Sequence, residues 1–269
     1  RGVTQDFTKA FEWYLKAANN GDAVAMRNVG WCYDKGQGVT QDFTKAFEWY
    51  LKAANNGDAV AMRNVGLCYD NGQGVTQDFT KAFEWYLKSA NNGYADAMFS
   101  IGECYENGRG VTQDFTKAFE WFLKSANNGN ADAMYNVAVC YDNGQGVTQD
   151  FTKAYEWFLK AANNGDAYAM FAVGNCYYYG EGVAQDLTKS FEWYLKSANN
   201  GSALAMNNVG DCYYNGQGVT QDFTKAFEWY LKAANNGNAD AMNNVGKCFY
   251  TGNGVTSDKE KAFEWCMKA

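Results

Sequence analysis

Histidine is absent from the 269 residues, and so is proline. Without histidine the chain lacks the commonest general base and the commonest metal-binding side chain at once. Without proline every helix must be stopped by Gly and Asn. Basic residues are also scarce, 23 Lys and Arg against 30 Asp and Glu, for a net charge of −7. That is the wrong sign for a nucleic-acid partner, since neutralising phosphates takes clustered Lys and Arg. No apolar run approaches the ~20 residues of a membrane span, and no signal-peptide pattern stands at the start. A cytoplasmic, membrane-free protein is the expectation, although the sequence opens on Arg1 and targeting information can lie outside it. Neither a paired-carboxylate site, nor a phosphate-cradling loop, nor a nucleophile elbow stands out. The chain is therefore expected not to be an enzyme and to need no cofactor and no metal.

What is present is repetition. Trp13, Trp49, Trp85, Trp121, Trp157, Trp193, Trp229 and Trp265 are 36 residues apart, and Cys32, Cys68, Cys104, Cys140, Cys176, Cys212 and Cys248 keep the same step. A fixed period of this size marks a stacked array. The 269 residues hold seven periods plus 17 residues. A single array is expected, opening on the second helix of a partial repeat over 1–20. Full repeats start near 21, 57, 93, 129, 165 and 201, and a last partial repeat covers 237–269.

Gly21 to Asn56 serves as the type repeat. Asp22 can cap a first helix from Ala23 to Asp34 that stops at Gly36. After the loop from Gly36 to Gln41, Asp42 caps a second helix that runs to about Asn55 and ends at Gly57. On that helix Ala46, Trp49, Tyr50, Ala53 and Ala54 share one face, while Phe43, Phe47 and Leu51 widen it. A helix apolar around most of its girth must be covered on two sides. Flanking repeats do this, so one unit cannot stand alone. Lys45, Glu48 and Lys52 form a solvated stripe.

The run Ala23-x-Ala25-x-x-x-Val29-Gly30-x-x-Tyr33-x-x-Gly36-x-Gly38-Val39, followed by Asp42-x-x-Lys45-Ala46-x-x-Trp49-Tyr50-x-Lys52-Ala53-Ala54, resembles the Sel-one-like repeat family, a relative of the tetratricopeptide repeats. The match extends over every copy. One departure follows Val39, where the family usually has proline and this chain has Thr40, or Ala184 in one copy. The resemblance implies an all-α, right-handed solenoid of antiparallel helix pairs that serves as an adaptor for protein complexes. Secreted cysteine-rich members bridge their two helices with disulfides and are linked to β-lactam binding; their paired cysteines correspond to Ala18 and Met26 here, so that subgroup is a poor match.

The periodic cysteines lie on the core side of the first helix. Equivalent atoms in successive repeats should be ~10 Å apart, whereas a disulfide needs Cα atoms within ~7 Å. Free, buried thiols are expected, with Cys266 exposed. Met26 and its copies, and the tryptophan series, are expected to fill the core. The Gly-x-Gly loop is expected to be a turn device, and the sequon Asn200-Gly201-Ser202 has no clear meaning.

Comparing the copies with one another locates a candidate site. Ala23, Ala25, Met26, Val29, Gly30, Cys32 and Tyr33 hardly change, whereas the positions of Val24, Arg27, Trp31, Asp34 and Lys35 vary widely. At ~100° per residue the varied positions span an arc of about 100°. Lys45, Glu48 and Lys52 keep their types in every copy, so variation follows one face of one helix rather than exposure in general. The resemblance implies that this face lines the concave groove. Candidate groove residues are Arg27, Trp31, Arg63, Leu67, Phe99, Glu103, Tyr135, Tyr168, Phe171, Asn175, Tyr178, Tyr179, Tyr214 and Lys247. Aromatics there suit binding anchors, unless Phe99 and Phe171 pack onto a neighbouring repeat. Asn28, Asn64, Asn136, Asn208 and Asn244 can bond an extended backbone.

Seven such helices at ~10 Å spacing would hold up to ~20 extended residues. The expected partner is a protein or an extended peptide, with Arg27 and Arg63 favouring an acidic segment. A second reading is a regulatory segment of a larger enzyme such as a protein kinase. The last apolar face, with Phe263 and Trp265, is expected to fray or to join end to end with another molecule.

Overall fold

The structure is a computed structural model that describes residues 6–269. Among the described residues there are fifteen helices and no strand. First helices are α2 (Ala23–Lys35), α4 (Ala59–Asn71), α6 (Ala95–Asn107), α8 (Ala131–Asn143), α10 (Ala167–Tyr179), α12 (Ala203–Asn215) and α14 (Ala239–Thr251). They alternate with second helices α1 (Phe7–Asn19), α3 (Phe43–Asn55), α5 (Phe79–Asn91), α7 (Phe115–Asn127), α9 (Phe151–Asn163), α11 (Leu187–Asn199), α13 (Phe223–Asn235) and α15 (Lys259–Cys266). This is the all-α repeat architecture of a solenoid.

Local chemistry sets the helix ends. Asp22, Asp58 and Asp166 accept the amide three residues on, at 2.8, 2.7 and 2.9 Å. Asn130, Ser202 and Asn238 do the same in their copies, and a cap of this kind contributes about 1 kcal/mol. Tyr94 stands at that place in α6 and gives no side-chain cap. Its hydroxyl donates instead to Asp96 Oδ2 at 2.7 Å, and Asn130 donates to Asp96 Oδ1 at 2.8 Å. Second helices open on Asp42 and its copies, each accepting a lysine amide at 3.0 Å. The first helices stop on glycine in the left-handed region, Gly36 at φ 66° for example.

Two glycine positions have a steric reason. The Tyr50 ring lies where a Cβ on Gly30 would be, 2.7 Å from its Cδ1, so the first helix can settle onto an aromatic that is itself buried. In the loop, Gly74 has φ 71° and a Cβ there would collide with the Phe43 carbonyl of the preceding second helix. The first glycine of Gly-x-Gly ends a helix; the second lets the loop lie against the start of the preceding second helix.

The chain divides into two compact units at Ala133 and Met134, within the first turn of α8. In unit 1, Ala46, Tyr50, Ala53, Ala54, Ala61, Val65 and Cys68 form one core cluster, against which Trp85 of the following second helix leans. In unit 2, Trp193 and Trp229 lean in the same way on clusters around Val173 and Val209. The interior tryptophans are half-buried rather than filling the core as expected. Each joins two repeats with one face and carries a lysine ammonium on the other: Lys52 lies 4.2 Å from the Trp49 ring centre and Lys160 3.7 Å from that of Trp157. Phe43 and its copies also stand at the exposed rim, 37% accessible at Phe43, because they occupy the first turn of their helices.

Among the described residues no cysteine is in a disulfide; seven are buried and Cys266 is exposed, as their positions predict. Burial pushes the thiols of Cys32, Cys68, Cys104, Cys176, Cys212 and Cys248 up, Cys68 to about 12, which leaves little thiolate for chemistry at neutral pH. The Met26 sulfur fills space and also accepts a weak bond from Asn56 Nδ2 at 3.5 Å. Asn200 makes the same bond to Met170, and Ser202 caps α12, so the sequon residues perform the repeat's ordinary structural duties.

Candidate functional site

The varied positions of the first helices face the aromatic side chain carried by the second helix of the same repeat. That aromatic is Tyr50, Tyr86 or Phe122 in unit 1 and Phe158, Tyr194 or Tyr230 in unit 2, buried in every case. Whatever the first helix places above it becomes the surface.

In unit 1 that surface is charged and largely self-paired. Arg27 reaches Asp58 at 3.7 Å. Arg109 reaches the buried Asp70 at 3.5 Å, and the Tyr86 hydroxyl donates to the same carboxylate at 3.5 Å. Arg63 is half-buried with its Nε unpartnered. Burial raises the Glu103 carboxyl, while the nearby Arg109 and Arg63 draw it back. Leu67 is half-buried in the core cluster around Ile101. Phe99 rests on Phe122, ring centres 5.6 Å apart, so it packs on its own repeat's second helix and offers only part of its ring to solvent. Trp31 is exposed and, with Phe7, Tyr14 and Gln37, borders a cavity of about 340 Å³.

In unit 2 the surface is aromatic. Tyr135 and Phe171 rest on Phe158 and Tyr194, again with centres 5.6 Å apart, and are half-buried. Tyr168 and Tyr179 are exposed, 65% and 64% accessible. Tyr179 meets Tyr178 edge to face at 4.9 Å. Asn175 is not a free recognition group: its Oδ1 accepts the Tyr194 hydroxyl at 2.7 Å. One repeat later Asp211 accepts the Tyr230 hydroxyl at 2.8 Å, with its own carboxyl raised by burial. Tyr214 takes a bond from Asn253 at 2.9 Å and lies 5.4 Å under the Lys247 ammonium. Of the edge asparagines, Asn244 donates to Asn207 at 3.0 Å.

The structure brings Tyr135, Tyr168, Phe171 and Asn175 together around one cavity of about 370 Å³. Smaller cavities of about 100 Å³ follow beside Tyr178 and beside Tyr214 with Lys247. Asp142, Asn143 and Leu204, which fall in the varied columns of Asp34, Lys35 and Val24 but were not among the candidate residues, share the first cavity with Glu181, which sequence comparison missed. Glu181 lies in the loop, where Gln37, Arg109, Glu181 and Asn253 occupy one repeat position. That variation was visible but fell outside the helix.

Among the described residues no group of three or more His, Cys, Asp or Glu could hold a metal ion, and no helix is long and apolar enough to cross a membrane. On the second helix, Lys45 pairs with Asp42 at 3.4 Å and lies 5.4 Å from the Tyr33 ring centre. The constant stripe thus caps helices and covers rings as well as meeting solvent.

The family model described as Sel1 repeat matches residues 1–22, 23–58, 59–94, 95–130, 131–166, 167–202, 203–238 and 239–269. Among solved structures, the c5321 protein of uropathogenic Escherichia coli, a protective antigen with an SLR fold, is 35% identical with a TM-score of 0.91. That likeness covers 96% of this chain and 55% of the E. coli chain, so this chain spans about half of its relative. A Sel1 repeat protein from Oxalobacter formigenes is 32% identical with a TM-score of 0.80, over 97% of this chain and 76% of its own. Yeast Tom70 shares the fold at 12% identity and a TM-score of 0.51, over 97% of this chain and 58% of its own. No curated protein sequence matches the chain.

Proposed function

The chain belongs to the Sel1 repeat family, and we propose that it is a protein- or peptide-binding scaffold whose partner lies on the variable face of the first helices. Sel1 repeat proteins generally mediate protein–protein interaction, and the family is typically non-catalytic. The observation that carries the reading is the coincidence of variation with open space. The positions that differ among copies border the cavities in unit 2, while the constant positions fill the core. Tyr168 and Tyr179, exposed and attached to a rigid helix, are the anchors of choice, because a tyrosine buries much area for little rotamer entropy. In unit 1 an acidic stretch of the partner would meet Arg63, since Arg27 is already paired with Asp58. Nothing in the fold or the relatives favours a regulatory segment of a kinase.

The test is affinity capture with the whole chain, followed by binding assays on the recovered partner. Tyr168→Ala and Tyr179→Ala should each weaken binding, a true anchor costing about 2 kcal/mol or more, with the fold unchanged. Lys52→Ala on the second helix should not. Loss with Lys52→Ala and none with the tyrosines would mean that the wrong face has been chosen.

A further inference from the structure

The first-helix position of Asp34 reads Asp70, Glu106, Asp142, Tyr178 and Tyr214 in later copies, and the loop position of Gln37 reads Gln73, Arg109, Gln145, Glu181, Gln217 and Asn253. The fold sets the first of these against the second one repeat on. Asp70 meets Arg109 at 3.5 Å, Tyr178 meets Gln217 at 3.3 Å, and Tyr214 meets Asn253 at 2.9 Å. Each of those pairs is complementary. The same offset brings together Asp142 and Glu181, two carboxylates on one cavity that no Lys or Arg lines. Burial first, and the Glu181 charge second, push the Asp142 carboxyl above its ordinary range. A cation is what this position lacks, and in unit 1 Arg109 supplies it from within the chain.

We propose that the cavity between Asp142 and Glu181 receives a cationic side chain, Arg or Lys, from a protein partner. This rests on the reading that the variable face binds partners, and it names what one site on that face selects. The charge would sit between the carboxylates, where Arg109 stands beside Asp70, and the stem would lie on Tyr135, Tyr168 and Phe171. Aromatic faces attract ammonium and guanidinium groups, and paired carboxylates suit the fork of an arginine. A bare metal ion would find too few ligands here. The about 370 Å³ of space accommodates a long side chain.

The test uses the whole chain with capped single residues, N-acetyl-arginine amide, its lysine counterpart, and the neutral isostere N-acetyl-citrulline amide, read by saturation-transfer NMR. The arginine and lysine probes should bind, and citrulline at least about tenfold more weakly, a difference of about 1.4 kcal/mol. Glu181→Arg rebuilds the Asp70–Arg109 arrangement, so it should abolish the preference while leaving the unfolding midpoint unchanged or higher. Asp142→Asn should lower arginine binding without unfolding the chain. Equal binding of citrulline, no binding of arginine, or an undiminished arginine signal in Glu181→Arg would overturn the proposal. Random-peptide display on the same chain separates this from the binding-face reading. Selected peptides that lose binding with Tyr179→Ala yet show no basic preference would sink the cation site and leave the face standing. Failure to select any peptide would remove both.

Discussion

Unit 1 and unit 2 carry nearly the same second helix and set different chemistry against it. In unit 1 the first helices and the residues flanking them present arginines and carboxylates that satisfy one another, Arg27 with Asp58 and Arg109 with Asp70. In unit 2 the first helices present tyrosines and phenylalanines, and Asp142 with the loop residue Glu181 makes two acids whose counter-charge the cavity does not supply. Constant and varied positions are therefore distinct in kind. The constant ones seat a buried aromatic over a glycine, or a loop against a carbonyl, and leave no room for change. The varied ones sit above that aromatic, where charge, ring or hole can be built without disturbing the stack.

The largest effects should come from the constant positions and be equal in the two units. Gly218 has φ 71° and would drive a Cβ into the Leu187 carbonyl; Gly74 stands in the same relation to Phe43. Left-handed strain of about 1–3 kcal/mol adds to an overpacking cost of about 1–3 kcal/mol. Gly218→Ala and Gly74→Ala should therefore each lose about 3 kcal/mol or more. Gly201 and Gly57 have similar φ, 93° and 88°, with nothing within 4 Å, so alanine there should cost only the strain, about 1 kcal/mol. Urea unfolding of the four variants decides it. Unequal losses between Gly218→Ala and Gly74→Ala would show that the units do not share one scaffold.

The next effect should be present in unit 1 and absent in unit 2. Arg109→Gln leaves the buried Asp70 without its ion pair. Exposed pairs contribute about 0–1 kcal/mol and breaking buried ones costs about 3–5. With the Arg109 side chain 41% exposed, a loss of about 1–2 kcal/mol is expected. Glu181→Gln relieves a like-charge contact and should lose nothing. If both substitutions destabilise alike, Glu181 has a partner that the pairing pattern does not capture.

Much of the scaffold was legible before any coordinates. The period, the Asp caps, the glycine stops and the buried cysteines outside any disulfide all follow from strictly local rules, and the family resemblance pointed to the same fold. The pairing of Asp70 with Arg109 did not follow, because it crosses from one repeat into the loop of the next and no helical periodicity connects the two. Reading the column of Asp34 against the column of Gln37 would have exposed it. The groove anchors were half-legible. Helical spacing grouped Phe99, Tyr135 and Phe171, but their burial depends on the second-helix ring beneath them, which a one-helix projection leaves out.

Acidity should separate first helices from second helices rather than one unit from the other. Glu103, Glu106, Asp142 and Asp211 are all raised, with burial the leading cause. A group raised in the fold contributes stability that is complete below its unfolded value and lost as pH rises through its folded value. The caps Asp42, Asp78, Asp114, Asp150, Asp186 and Asp222 are lowered, first by the lysine amide each accepts. Their contribution is present above the ordinary carboxyl value of 3.8 and lost as pH falls through the folded value. Stability should thus rise as pH drops from neutral toward about 4 and decline below it. Asp211→Asn should flatten the upper limb while keeping the Tyr230 bond, as Asn175 keeps that of Tyr194. A urea midpoint that falls steadily from pH 7 downward would refute this.

The smallest effect concerns the lysine over each tryptophan. Lys88 lies 3.9 Å from the Trp85 ring centre in unit 1 and Lys196 lies 3.9 Å from Trp193 in unit 2. Both lysines are exposed and both rings half-buried, a setting in which a cation over an indole is worth about 0.5–1 kcal/mol. The stem also shields the outer ring face, so charge and coverage must be separated. Lys88→Met and Lys196→Met keep the coverage and remove the charge; Lys88→Ala and Lys196→Ala remove both. The methionine variants should lose about 0.5 kcal/mol and the alanine variants somewhat more, with the same values in both units. The second helices around the two sites differ only at Phe79 and Leu187, Ala82 and Ser190, Phe47 and Tyr155, and Tyr50 and Phe158, so an inequality that survives exchanging those residues would mean that the varied face reaches through the core to the second helix. Equality would mean that the residues on the varied face do not reach the back of the repeat.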